Sequence, residues 1–158
     1  MTQFAVGRFT GLLLGAALLA SAGAAQAAEL DVQSPWVALA PPGAHATAAF
    51  MKLHNPGDEA IDVVSADADG FKKVELHLSV NEDGMHRMIE QERITVPAGE
   101  TVLLAPGGYH VMLIGPERSL DEGEVVAIEL GLGDGDRITV EAPVTPRDKA
   151  MGGHGHMH

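Results

Sequence analysis

Val74-Glu75-Leu76-His77-Leu78-Ser79-Val80-Asn81-Glu82-Asp83-Gly84-Met85-His86-Arg87-Met88-Ile89 is the stretch that decides how this chain folds. Val74, Leu76, Leu78 and Val80 alternate with Glu75, His77 and Ser79, the period of a strand with one apolar face. Asn81-Glu82-Asp83-Gly84 has the composition of a turn, and Met85 to Ile89 reads as the returning strand. With those four residues as the loop, Val80 faces Met85 and His77 falls directly opposite Met88, their Cβ atoms about 5 Å apart.

Short strands of the same kind recur on both sides. Upstream lie Leu30 to Leu39, interrupted at Ser34-Pro35, then Ala46 to His54, closed by the turn Asn55-Pro56-Gly57-Asp58, then Ile61 to Ala66. Downstream come Arg93 to Val96, Thr101 to Ala105, Tyr109 to Ile114, Val125 to Leu132 and Arg137 to Glu141, separated by turns such as Pro97-Ala98-Gly99 and Pro106-Gly107-Gly108. Strands every ten residues or so, with Gly and Pro between them and no amphipathic helix, predict an all-β antiparallel sandwich or barrel.

The 158 residues suggest one domain behind a leader. Arg8, the apolar run Gly11 to Ala20 and the small-residue site Ala25-Gln26-Ala27 predict a cleavable secretory signal over residues 1–27. An uncleaved anchor is the alternative, because such a stretch is just long enough to span a bilayer. The organisation expected is therefore signal peptide 1–27, β domain 28–142 and a flexible His/Met-rich tail 143–158, exported to the periplasm with no membrane insertion after cleavage.

Of the 10 basic residues only Arg8 falls in the leader, which leaves 9 against 22 acidic ones, a net charge of -13. That balance argues against nucleic acid as a partner. Cysteine is absent, so an exported chain that had access to disulfides does without them, and thiolate is removed from the list of metal ligands.

The chemistry-bearing residues sit where packing does not explain them. His77 shares the polar face of its strand with Glu75 and Ser79. In Tyr109-His110-Val111-Met112-Leu113 the period of two puts His110 and Met112 on the face away from Tyr109, Val111 and Leu113. Taken singly, a strand histidine is more often a surface residue and a methionine more often core filler. Together, His77, Met88, His110 and Met112 make two neutral imidazoles and two neutral thioethers, a set suited to Cu(I) or Ag(I) and poor for Zn, Mg or Ca. A blue-copper electron-transfer centre needs a cysteine thiolate, so a copper ion here is carried cargo. Met85 and His86 are possible accessory ligands, while His45, Met51 and His54 read as structural.

The spacing is His77, ten residues (78 to 87), Met88, twenty-one residues (89 to 109), then His110-Val111-Met112. In this the chain resembles the periplasmic PCu(A)C copper chaperones. The likeness extends to Asn55-Pro56-Gly57-Asp58, Val74-Glu75-Leu76-His77, Val96-Pro97-Ala98-Gly99, Pro106 to Met112 and Leu120-Asp121-Glu122-Gly123. Leu78 departs from the second methionine that many members carry there. The resemblance implies a cupredoxin-like Greek-key β-barrel that binds Cu(I) at an exposed site of His77, Met88, His110 and Met112. It also implies delivery of copper for assembly of the copper centres of cytochrome c oxidase, with the oxidase copper subunit or a thioredoxin-like copper-delivery protein as recipient.

The end of the chain, His154, His156, Met157 and His158, is a second candidate metal site, because imidazole clusters suit Cu(II). It would capture oxidised copper and pass it inward. Three other functions remain open to the sequence: a copper or silver buffer, a copper oxidase or superoxide-consuming enzyme, and an immunoglobulin-like adhesion module. No acid, base or nucleophile arrangement stands beside the four residues to support the enzymatic one, so a binding protein, not an enzyme, is expected.

Overall fold

The computed structural model describes residues 29–152. The leader and the tail residues His154, His156, Met157 and His158 lie outside them. The described chain forms ten strands, β1 (Asp31–Ala38), β2 (Ala46–His54), β3 (Ile61–Ala68), β4 (Phe71–Glu82), β5 (Met85–Glu90), β6 (Ile94–Val96), β7 (Thr101–Leu104), β8 (Tyr109–Pro116), β9 (Val125–Leu132) and β10 (Arg137–Thr145). A short helix, α1 (Arg147–Met151), follows. Among the described residues no helix is long and apolar enough to cross a membrane.

The strands are hydrogen-bonded in the order β5-β4-β8-β7-β2-β1-β10-β9-β3-β6. All the pairings are antiparallel except β1 with β10 and one residue pair of β7 with β8. The two halves of this open sheet contribute to one core. Ala49, Met51, Leu53, Leu76 and Leu113 come from one half, Val63, Ile128, Leu130, Val140 and Val144 from the other. Alternation puts these residues inward and leaves their neighbours on the outer faces. This is the all-β, cupredoxin-like architecture expected.

Three local expectations are corrected. The β4–β5 loop is two residues, Asp83 and Gly84, both with positive φ (52° and 77°), the left-handed pair that a tight hairpin requires. Asn81 and Glu82 join the ladder instead of the turn. Val80 therefore pairs with Arg87 and Met88 with Ser79, while His77 pairs with Glu90. Because the register moves by two residues, Met88 keeps its face. Ser34-Pro35 does not break the first strand. β1 pairs with β2 on both sides of an irregularity between Gln33 and Trp36, a bulge that absorbs the missing proline N–H. Finally, β10 runs through Pro143 to Thr145 and α1 follows it, so order extends beyond the expected domain end at Ala142.

β7 and β8 lie end to end along β2. Met51 to His54 pair with β7, and Ala46 to Ala49 with β8. The chain steps from one to the other through Ala105-Pro106-Gly107-Gly108. This step delivers His110 to the middle of the sheet.

Candidate metal centre

Three adjacent strands, β5, β4 and β8, carry the four residues on one outer face. His77 is the direct partner of His110, and Glu75 that of Met112. Met88, opposite Ser79, is the diagonal neighbour of His77. Diagonal partners are about 7–8 Å apart at the backbone, within reach of an unbranched thioether side chain. The sheet thus brings His77, Met88, His110 and Met112 into one neighbourhood.

The imidazole rings of His77 and His110 stand with centroids 5.7 Å apart and 47° between their planes. Both are buried, His77 at 8% and His110 at 3% exposure, whereas Met88 is 59% exposed. An outer sheet face is usually wet, but here a second apolar cluster covers part of it. Trp36, Ala38, Ala48 and Phe50 pack together on β1 and β2. The Trp36 and Phe50 rings lie 4.8 Å apart, and Phe50 lies 6.2 Å from His110. The site is a buried imidazole pair with an exposed sulfur at its rim.

Each ring uses one nitrogen and leaves the other bare. His77 Nε2 lies 2.6 Å from Glu75 Oε2, and His110 Nδ1 lies 3.1 Å from the Gly108 carbonyl oxygen. His77 Nδ1 and His110 Nε2 are buried with no hydrogen-bond partner. Two orphaned nitrogens on adjacent rings fit a metal ion, since a buried polar atom without a partner is otherwise costly. The Gly108 carbonyl also accepts the Ser79 backbone N–H at 3.0 Å, tying the loop to β4.

The electrostatics favour neutral imidazole at the deeper position. Burial pushes the His110 pKa down against the raising effect of the Gly108 hydrogen bond, and repulsion from the Arg147 charge acts in the same direction as burial. The Lys73 ammonium, then the His77 N–H, hold the Glu75 carboxyl below the usual carboxylate range. Among the described residues no three His, Asp or Glu side chains gather to hold a metal ion.

The remaining candidates separate cleanly. On β5, His86 shares the face of Met88 and Met85 does not. Met51 is a core residue, and His54 Nδ1 bonds Thr101 Oγ1 at 3.0 Å. The sequence does not single out Glu75 and Gly108 as supporting residues. Glu75 was readable in principle, being two positions from His77 on one strand face. The Gly108 carbonyl contact depends on the step between β7 and β8, which has no sequence signature. One surface concavity is lined by Asn55, Asp58, Glu59, Asp62 and Asp134 among others, and by none of the four site residues.

The family described as "Putative lipoprotein LpqE-like" matches residues 30–144. A relative described as "Putative lipoprotein Lxx21020", from Leifsonia xyli subsp. xyli, is 36% identical over 120 residues, 75% of this chain and 71% of that one. The solution structure of CuI-DR1885 from Deinococcus radiodurans is 37% identical with a TM-score of 0.64, covering 81% of this chain and 86% of that one. A copper-bound PCuAC domain from PmoF2 also aligns with a TM-score of 0.64, over 76% of this chain and 96% of that one. At 21% identity, that match speaks for the fold alone.

Proposed function

Since this chain belongs to the LpqE-like family and has the PCuAC fold, we propose that it is a copper(I)-binding metallochaperone of the cell envelope, with His77, Met88, His110 and Met112 as ligands. The observation that carries this reading is the pair of buried, partnerless ring nitrogens on a sheet face that also bears two methionines. The relative whose structure holds Cu(I) supports it. Copper is the cargo of such a protein and the activity is binding and transfer, not catalysis.

The four neutral ligands match a soft monovalent ion. The buried imidazoles give retention, and Met88, exposed at the end strand of the sheet, is the ligand that an incoming donor displaces first. We place the protein in the periplasm after removal of residues 1–27. Its recipient is a copper-accepting protein in cytochrome c oxidase assembly, either the oxidase copper subunit or a thioredoxin-like delivery protein. His154, His156, Met157 and His158 form an auxiliary Cu(II) site.

The test is Cu(I) titration of the protein against a competing chelator, beside Met88→Ala and Met112→Ala. One tight equivalent, lost in both variants, is expected; equal binding in all three would sink the assignment. Transfer to an apo oxidase copper subunit faster than to a small chelator marks delivery. Equal rates mark a buffer.

A further inference from the structure

We propose that Glu75 is a positioning residue that commits His77 to bind copper through Nδ1, so that the two imidazoles offer different nitrogens to one ion. The inference deepens the copper(I) reading and rests on it.

Lys73, Glu75 and His77 alternate along β4 and so share its outer face. The Glu75 side chain is only 10% exposed. One carboxylate oxygen pairs with Lys73, and the other lies 2.6 Å from His77 Nε2. An ionised carboxylate only accepts hydrogen bonds. Nε2 therefore carries the hydrogen, and in a neutral imidazole the lone pair is left on Nδ1. That is the buried atom with no partner.

At His110 the same logic runs the other way. A carbonyl oxygen also only accepts, so the Gly108 contact puts the hydrogen on Nδ1 and the lone pair on Nε2. Both orphaned atoms are thus the metal-binding ones. The difference lies in what holds each ring. His110 is set by backbone, which no substitution removes. His77 is set by one side chain, itself held by Lys73.

Long-range 1H–15N correlation spectra of the copper-free protein read each ring's tautomer directly, and a competition titration reads Cu(I) affinity. In the wild-type protein His77 is expected as the pure Nε2–H form, with Cu(I) shifting His77 Nδ1 and His110 Nε2. Glu75→Leu is expected to give mixed His77 tautomers and to weaken Cu(I) binding by about 10- to 100-fold. Glu75→Gln, which keeps an acceptor oxygen without the charge, restores the tautomer and most of the affinity. A wild-type His77 with its hydrogen on Nδ1 overturns the proposal, as does an unchanged affinity in Glu75→Leu. Loss of affinity shared by Glu75→Leu and Glu75→Gln with a wild-type tautomer also overturns it, since charge alone would then explain the loss. If Glu75→Leu does not fold, the wild-type and Glu75→Gln spectra still decide. If the wild-type protein binds no Cu(I), the chaperone reading fails while the copper-free spectra judge the Glu75 lock separately.

Discussion

His77 and His110 are register partners on β4 and β8, with ring centroids 5.7 Å apart and one bare nitrogen each. As the proposed ligands of one ion, they should act as a unit. His77→Ala and His110→Ala should each weaken Cu(I) binding at least tenfold, and the double variant should be much less than the product of the two, because contacting residues couple. Competition titration of the four proteins checks this. Independent, multiplicative losses would mean that the rings do not share an ion.

Met88 separates binding from stability. At 59% exposure on the end strand it contributes little packing, so Met88→Leu should change unfolding free energy by no more than about 0.5 kcal/mol. Its Cu(I) affinity should nevertheless fall clearly, because leucine offers no sulfur. Urea unfolding beside metal titration reads both quantities.

Acid should weaken the copper-free protein in two steps. His110 has a folded pKa below the ordinary imidazole value of 6.5, chiefly through burial. The unfolded chain therefore takes up the proton first, and stability falls as pH drops below about 6.5, levelling once pH is under the folded value. Glu75 has a folded pKa below the ordinary carboxylate value of 4.5, held down first by Lys73 and then by His77. Its contribution is present above about 4.5 and is lost as pH falls through the lower folded value. Urea midpoints from pH 7.5 to 5 should drop in the wild-type protein and drop less in His110→Gln.

Asn55 should be the costliest polar residue to replace. It is fully buried, and its side chain donates to the carbonyls of Glu59 and Val96 and accepts the Gly57 N–H. Asn55→Leu leaves those backbone groups unpaired, at a cost of about 3 kcal/mol. Copper affinity should be unchanged, because the Asn55 side chain bonds only backbone groups of Gly57, Glu59 and Val96 and touches none of the four site residues. A loss under about 1 kcal/mol in urea unfolding would show that water replaces the side chain.

Much of this molecule is legible in its sequence, because period-two alternation and glycine or proline turns are local signals. The faces of His77, His110 and Met112 follow from that alternation alone, whereas the face of Met88 rests on the pairing of β5 with β4. The hairpin register does not, since Asn81-Glu82-Asp83-Gly84 is turn-like throughout and only the backbone shows that Asp83 and Gly84 alone take the left-handed conformation. Burial of the two histidines was illegible for a different reason. At His110 it involves Phe50, packed on Trp36, which lies far away in sequence and reaches the same face because β8 pairs directly with β2. The extension of β10 through Pro143 is not legible, because a proline in a strand reads as its end.

The Gly108 carbonyl accepts from both the Ser79 amide and the His110 ring. A single oxygen thus joins the seam between β4 and the β7–β8 step to the orientation of an imidazole. Opening that seam frees the ring at the same moment, so local breathing of the backbone and loosening of the metal floor are one cooperative event. Amide exchange at Ser79 is then a clock for the site, running slower whenever the imidazole pair is held.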